Sequence, residues 1–319
     1  MGIHLLNKLI TEKCVGCYKK VHFRDLQFRT IVIDTSIYLY RYKDANTLVD
    51  SFYMMCSLFR YYNIQALFVF DGPAPINKKH TIEVRAKKKK EAENKYNMLK
   101  QQLINTDSTK KSDSYINEIK ETMDELRKQF IRITREDIGL IKKILTLYGM
   151  SYIDAPSEAD ALCAYLCIKN KAYGCVSEDS DMFVYGCSKI MHHLSLQNHN
   201  VIMYDMNKIL QTLSISQKNF IQMCVLSGTD YNTSNNNIFT YYRQLFLFNR
   251  SNFIDFILYN YENNKLNKDD MIKYYNICSS FDIINDDILS KFIDVSIQNN
   301  KYNRYELIKL LKQYEFYFT

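Results

Sequence analysis

Residues 155–181 read APSEADALCAYLCIKNKAYGCVSEDSD, and two acidic pairs, Glu158/Asp160 and Asp179/Asp181, bracket a helix and a strand within them. Pro156 and Ser157 mark a helix start. Ser157 and Asp160 have the capping-box spacing, in which a hydroxyl and a carboxylate each satisfy an orphan backbone N–H. The apolar run Ala159–Ile168 predicts a helix that ends at Lys169-Asn-Lys. Tyr173–Ser177 predicts a short buried strand running straight into Glu178-Asp-Ser-Asp181. In a parallel sheet, ligands sit in the crevice beyond the carboxyl ends of the strands. This stretch therefore predicts a three-layer α/β fold with a mostly parallel sheet, and it directs attention to other acids at the same edge.

Such acids exist. The β-branched run Thr30–Ile33 ends in Asp34, and the apolar run Ala66–Phe70 ends in Asp71. Asp230 closes Ser227-Gly-Thr-Asp after the apolar segment Phe220–Leu226. For any one of these acids the plain reading is a turn or helix-start residue; five places on one sheet edge are another matter. Two like charges about 4 Å apart repel by roughly 4 kcal/mol at an effective dielectric of 20, so such a cluster calls for cations. Oxygen-only ligands favour Mg²⁺, with Mn²⁺ able to substitute. Two such ions about 3.5–4 Å apart are an apparatus for in-line attack of water on a phosphodiester.

The segments MGIHLL (1–6), IVIDTSIYLY (31–40), FVFDGPAP (68–75), DAPSEADALCA (154–164), SEDSDMFVYG (177–186) and LSGTDY (226–231) together resemble the flap-endonuclease family of structure-specific 5′ nucleases, in its order and at its spacing. The short C-terminus and the Asn/Ile/Tyr-heavy composition look most like the poxvirus branch. The resemblance implies a PIN-like nuclease core over residues 1–235, a helical arch inserted at about 76–135, and a helical DNA-binding region over 236–319. It implies metal ligands at Asp34, Asp71, Glu158, Asp160, Asp179, Asp181 and Asp230. Catalytic cations are implied at Lys78 and Arg85, and a base-stacking aromatic at Tyr40. The implied activity is divalent-metal-dependent cleavage of flapped, branched or 5′-ended DNA in replication, recombination or repair. A non-catalytic DNA-junction scaffold of the same fold is the alternative, but a pure binder gains nothing from a full set of acids that repel phosphate. An RNA-cleaving relative is disfavoured by the arch and the LSGTDY loop.

The rest of the chain supports this frame. From Lys78 to Lys100 there are nine Lys/Arg against three Glu, a local +6 beside a whole-chain net of +7. Glu83–Lys87 and Glu91–Lys95 have the i,i+4 spacing of a solvated helix. Lys78, Arg85 and Lys89 share one helix face turned to something anionic. Residues 105–113 are polar and turn-like, and Ser114–Phe130 predicts a second amphipathic helix. After Asp230 the chain has Asn235-Asn-Asn where the family has a glycine hairpin. Duplex contacts then fall to side chains such as Arg243, and Asn tolerates the turn. Cys14-Val-Gly-Cys17 lacks a second ligand pair and reads as a solvated turn rather than a zinc site. His192, His193 and His199 read as structural. The tail 313–319 does not make a sliding-clamp peptide. Leu6 stands where a myristoylation motif wants Ser or Thr. Nine scattered cysteines and no apolar signal at the start argue for a reducing intracellular compartment, cytoplasmic if the poxvirus resemblance holds. No apolar run approaches the length that spans a bilayer.

Overall fold

The computed structural model describes residues 3–75, 78–106, 113–234, 236–251, 253–314 and 316. Seven strands form one sheet: β1 (Tyr18–His22), β2 (Thr30–Asp34), β3 (Gln65–Phe70), β4 (Ser151–Asp154), β5 (Gly174–Val176), β6 (Lys189–Ser195) and β7 (Asn200–Asp205). Their spatial order is β1-β7-β6-β5-β2-β3-β4. β6, β5, β2, β3 and β4 are mutually parallel, while β7 is antiparallel to both β6 and β1. The sheet is thus mostly parallel, as expected.

Its strands carry apolar side chains on both faces, as a sheet covered on both sides requires. Val32, Leu67, Val69 and Cys175 point into one core, with the helices Leu6–Lys13, Ala159–Ile168, Gln217–Leu226 and Ile238–Phe248. Ile31, Ile33, Phe68 and Val176 point into the other, with the helices Thr35–Asp44, Leu48–Tyr61 and Arg135–Tyr148. The result is three layers. The last helix, Arg304–Lys312, joins this second core through Leu307, Leu310 and Leu311, on the opposite layer from the helices just before it. Its approach runs along Gly149, whose amide oxygen accepts from Asn300 N–H at 2.8 Å. At φ +76°, a Cβ on Gly149 would meet the Asn300 carbonyl oxygen at 2.4 Å, so only glycine fits there.

The chain runs β2→β3→β4 to one side and then returns to place β5 on the other side of β2. That reversal opens a crevice at the carboxyl ends of β2 and β5, where a doubly wound sheet binds its ligand. Over this edge stand two long helices, Lys79–Thr106 and Asp113–Gln129. They bury Ala92 and Ile119, and Tyr96 meets Phe130 at 5.4 Å between ring centres. Most of the predicted turn at 105–113 (residues 107–112) lies outside the described residues, as do Met1, Gly2, Asn235 and most of the tail 313–319.

Two local expectations are corrected. Cys14 and Cys17 flank a turn, but both thiols are buried, and the Cys17 thiol contacts the Thr212 hydroxyl at 3.2 Å. Only Val15 and Gly16 between them face water. The Ser157/Asp160 capping box does not form. The N-cap of the helix is Glu158 without a side-chain cap bond, and the Ser157 hydroxyl lies 3.4 Å from the Pro73 carbonyl oxygen. The Ala159 N–H donates instead to Asp71 Oδ1 at 2.8 Å, an acid from the end of β3. His192 is buried against Phe183 and Tyr204, and burial pulls its pKa down to about 4, as a structural histidine would show. Among the described residues, no helix is long and apolar enough to cross a membrane.

Candidate active site at the carboxyl edge of the sheet

Each predicted acid arrives from a different element. Asp34 ends β2 and Asp71 follows β3; Glu158 and Asp160 open the helix Ala159–Ile168; Asp179 and Asp181 follow β5. Asp230 lies in the loop after Gln217–Leu226. Asp34, Asp71, Glu158, Asp160, Asp179 and Asp230 line one cavity of about 280 Å³, together with Lys78, Arg85 and Tyr40. Asp181 is buried beside it, and its Oδ1 has no hydrogen-bond partner.

The electrostatics of this cavity follow from seven carboxylates and two cations. Burial, with Asp71 adding to it, pushes Asp34 up to about 7 against the pull of the Ser177 hydroxyl, which donates to Asp34 Oδ2 at 2.9 Å. Burial and Asp179 push Asp181 up to about 8. Burial and Glu158 hold Asp160 well above the carboxylate range, despite Lys78. Burial also pulls Lys78 down, but Asp160 and Glu158 outweigh it and keep the ammonium firmly charged. Lys78 Nζ lies 2.8 Å from both Glu158 oxygens and 4.8 Å from the centre of the Tyr231 ring. Arg85 donates to both oxygens of Asp230, at 2.8 and 2.7 Å. Thr81 fixes the same loop by donating to the Asp230 carbonyl oxygen at 2.6 Å.

The site favours a hard divalent cation. Its donors are all oxygens, three of its carboxyls are pushed toward the protonated form, and one buried oxygen is orphaned. Among the described residues, no three of these groups are drawn together closely enough to enclose an ion as they stand. Lys78 and Arg85 occupy two of the carboxylates instead.

The residues that the resemblance assigns to substrate are more spread out. Tyr40 is 42% exposed at the cavity mouth, with Lys89 Nζ 5.1 Å from its ring centre. Lys89 also reaches the Ile131 carbonyl oxygen at 3.4 Å and does not line the cavity. Arg243 stands exposed on Ile238–Phe248 and is not part of the lining. Two residues that the sequence reading passed over, Ser177 and Tyr231, support the site, and a third, Glu178, stands beside them outside the cavity lining. Ser177 ties Asp34 to Asp179, whose N–H donates to its hydroxyl at 3.1 Å. Tyr231 supports Lys78, and Glu178 is held by Arg41 at 3.2 Å and by the His193 N–H at 2.9 Å. Ser177 and Glu178 stand inside the quoted SEDSD and Tyr231 next to Asp230, so proximity to the acids was the available signal.

Residues 1–92 match the XPG N-terminal domain and residues 149–230 match the XPG I-region, together more than half of the chain. The chain belongs to the flap-endonuclease family. It is similar to flap endonuclease 1 of Xiphophorus maculatus, 30% identical over 249 residues that cover 72% of this chain and 62% of the relative. A probable RAD2-like endonuclease of Invertebrate iridescent virus 6 is 28% identical over 282 residues, 73% of this chain and 67% of that one. The chain therefore spans just over three-fifths of the length of the flap endonuclease 1 it matches. The catalytic core of Rad2, solved in complex with DNA substrate, shares the flap-endonuclease fold at a TM-score of 0.62 and 22% identity, over 98% of this chain and 95% of that one.

Proposed function

We propose that this chain is a divalent-metal-dependent, structure-specific DNA nuclease acting on 5′ flaps or 5′ ends. The observation that carries the reading is the single cavity whose lining combines six carboxylates with Lys78, Arg85 and Tyr40. The seven acids would hold two ions, Mg²⁺ by donor chemistry with Mn²⁺ as a substitute. When bound, such ions supply charge balance and Lewis acidity toward a phosphodiester.

The chain's own residues then divide the remaining work. Lys78 and Arg85 are already paired with anionic oxygens, Glu158 and Asp230, and a phosphate offers them the same partner chemistry. Fixed in this way, they stabilise negative charge that builds up on the phosphoryl oxygens. Burial against Tyr231 keeps the Lys78 ammonium in one place. Tyr40 offers its exposed ring to the neighbouring base, and Lys89, stacked on that ring, holds it. Residues 1–235 carry the catalytic groups, with the helices of 76–135 arching over their edge, and 236–319, whose helices Ile238–Phe248 and Arg304–Lys312 pack into the same two cores, carry duplex contacts, Arg243 among them. The one half-buried and eight buried free thiols suit a reducing compartment, cytoplasmic if the poxvirus likeness holds.

The deciding test uses a 5′-labelled flap. Cleavage near the single-strand/duplex junction is expected with Mg²⁺ or Mn²⁺ and none with chelator, while Asp34→Ala binds the flap without cutting it. Binding without cleavage under any divalent ion would replace the nuclease with a junction-binding scaffold. Preferential cutting of an RNA flap would change the substrate class.

A further inference from the structure

At the opposite edge of the sheet, before β2, β5 and β6, lies a concavity of about 510 Å³ that the catalytic reading does not use. Phe28, Arg29, Lys171, Tyr173 and Lys189 are among the residues that line it. The length of β2 sets it about 15 Å from the acidic cavity along the strand direction. Asn207 also lines a second cavity of about 720 Å³, which adjoins the first at that residue. Among the described residues, no Asp or Glu lines either one.

Three features separate this groove from ordinary solvated surface. Phe28 is 75% exposed with φ +61°, a left-handed conformation that a bulky aromatic residue rarely adopts and that is found concentrated at ligand clamps. It is pinned there by its N–H to the Asn63 carbonyl oxygen at 3.0 Å and by the next N–H, from Arg29 to Leu26, also at 3.0 Å. Secondly, the Arg29 guanidinium lies 4.8 Å from the Tyr173 ring centre and Lys189 Nζ lies 5.7 Å from it, so cations and an aromatic face alternate. Thirdly, Asp205 engages Lys189 at 3.0 Å, while among the described residues neither Arg29 nor Lys171 pairs with a carboxylate.

We infer that this groove binds single-stranded nucleic acid, with Phe28 stacking on a base and Arg29 and Lys171 holding the phosphates on either side of it. Alternating aromatic faces and unpaired cations in an acid-free groove are what a flexible strand of stacked bases and phosphates complements. A duplex keeps its base faces stacked inside and has none to offer Phe28. The site is independent of cleavage, so it is measured in chelator.

The probe is an oligothymidylate of about eight nucleotides carrying 5-iododeoxyuridine, a length within the usual single-strand site size. Photocrosslinking to the full chain, mapped by mass spectrometry, should label Phe28 or Tyr173. Arg29→Glu/Lys171→Glu should abolish those crosslinks and leave any at Tyr40 in place. It should also lower the slope of log affinity against log salt by about 1.4, two single-strand phosphate contacts. Phe28→Gly fits the left-handed backbone without strain, so it keeps the melting temperature while weakening binding roughly tenfold. Absence of crosslinks at both aromatics overturns the inference, as does a folded Phe28→Gly that binds like wild type. Displacement of the probe by polyglutamate as readily as by unlabelled oligonucleotide would make the groove an acidic-peptide surface instead.

Discussion

Asp181→Asn should stabilise the metal-free protein, and by more at neutral than at acid pH. Asp181 is 1% exposed, its Oδ1 has no partner, and burial with Asp179 raises it from 3.8 to about 8. A carboxyl whose pKa is raised on folding favours the fold fully below its unfolded pKa and loses that contribution as pH rises toward its folded pKa. At 1.36 kcal/mol per pKa unit, the burden on the native state is on the order of 1 kcal/mol at about pH 5 and several-fold larger at about pH 7.5. Asparagine keeps the volume and removes the charge, and its lost contacts reduce the gain. In a chain of this size about 1 kcal/mol moves the melting temperature by roughly 2–4 °C, so a rise of several degrees is expected at about pH 7.5 in chelator. At about pH 5 the rise should be a third of that or less. Mg²⁺ should raise the melting temperature of wild type more than that of the variant, because a ligand that binds only the native state stabilises it by RT ln(1 + [L]/Kd). Melts at the two pH values, with chelator and with Mg²⁺, supply every quantity. A loss of stability at about pH 7.5 in chelator, or a shift that does not change with pH, would refute the reasoning.

Arg85→Ala should lower kcat on a flap substrate by far more than it raises KM, since Arg85 is bound to Asp230 until phosphate replaces it; a KM effect alone would make Arg85 a docking residue. Asp255, bonded to Gln222, Tyr275, Lys218 and the Leu258 N–H, is pushed up by burial but held down to about 2 by these partners together. Its contribution is present above its unfolded pKa and lost as pH falls toward about 2. In urea titrations the advantage of wild type over Asp255→Asn, about 2 kcal/mol at neutral pH, should shrink over that window, and a constant difference would exclude the ionised network. Arg243→Ala should weaken binding to flapped duplex and reduce its salt slope by about 0.9; an unchanged slope removes Arg243 from the interface.

The acidic apparatus was legible because it is written locally. β2 and β3 are short apolar runs whose next polar residue is an aspartate, and a strand of known direction must deliver that residue to its carboxyl end. The arch helices were legible for the same reason, since charge and apolar spacing along a helix are properties of one segment. What the sequence could not decide was which residue satisfies which. Ser157 has the spacing of a cap, yet the return of the chain to β4 brings Asp71 within 2.8 Å of the Ala159 N–H, a partner 88 positions away. Lys78 lies on the predicted basic face, but only the packing of the arch on the core sets its ammonium between Glu158 and the Tyr231 ring. The same holds for Cys14 and Cys17, buried because β1 is added beyond β7, a pairing across nearly 200 residues. Local propensity and periodicity thus determined the elements and the chemistry at their ends. Charge pairing, desolvation and capping partners were decided by the tertiary structure, because they depend on distances between segments that are remote in the chain.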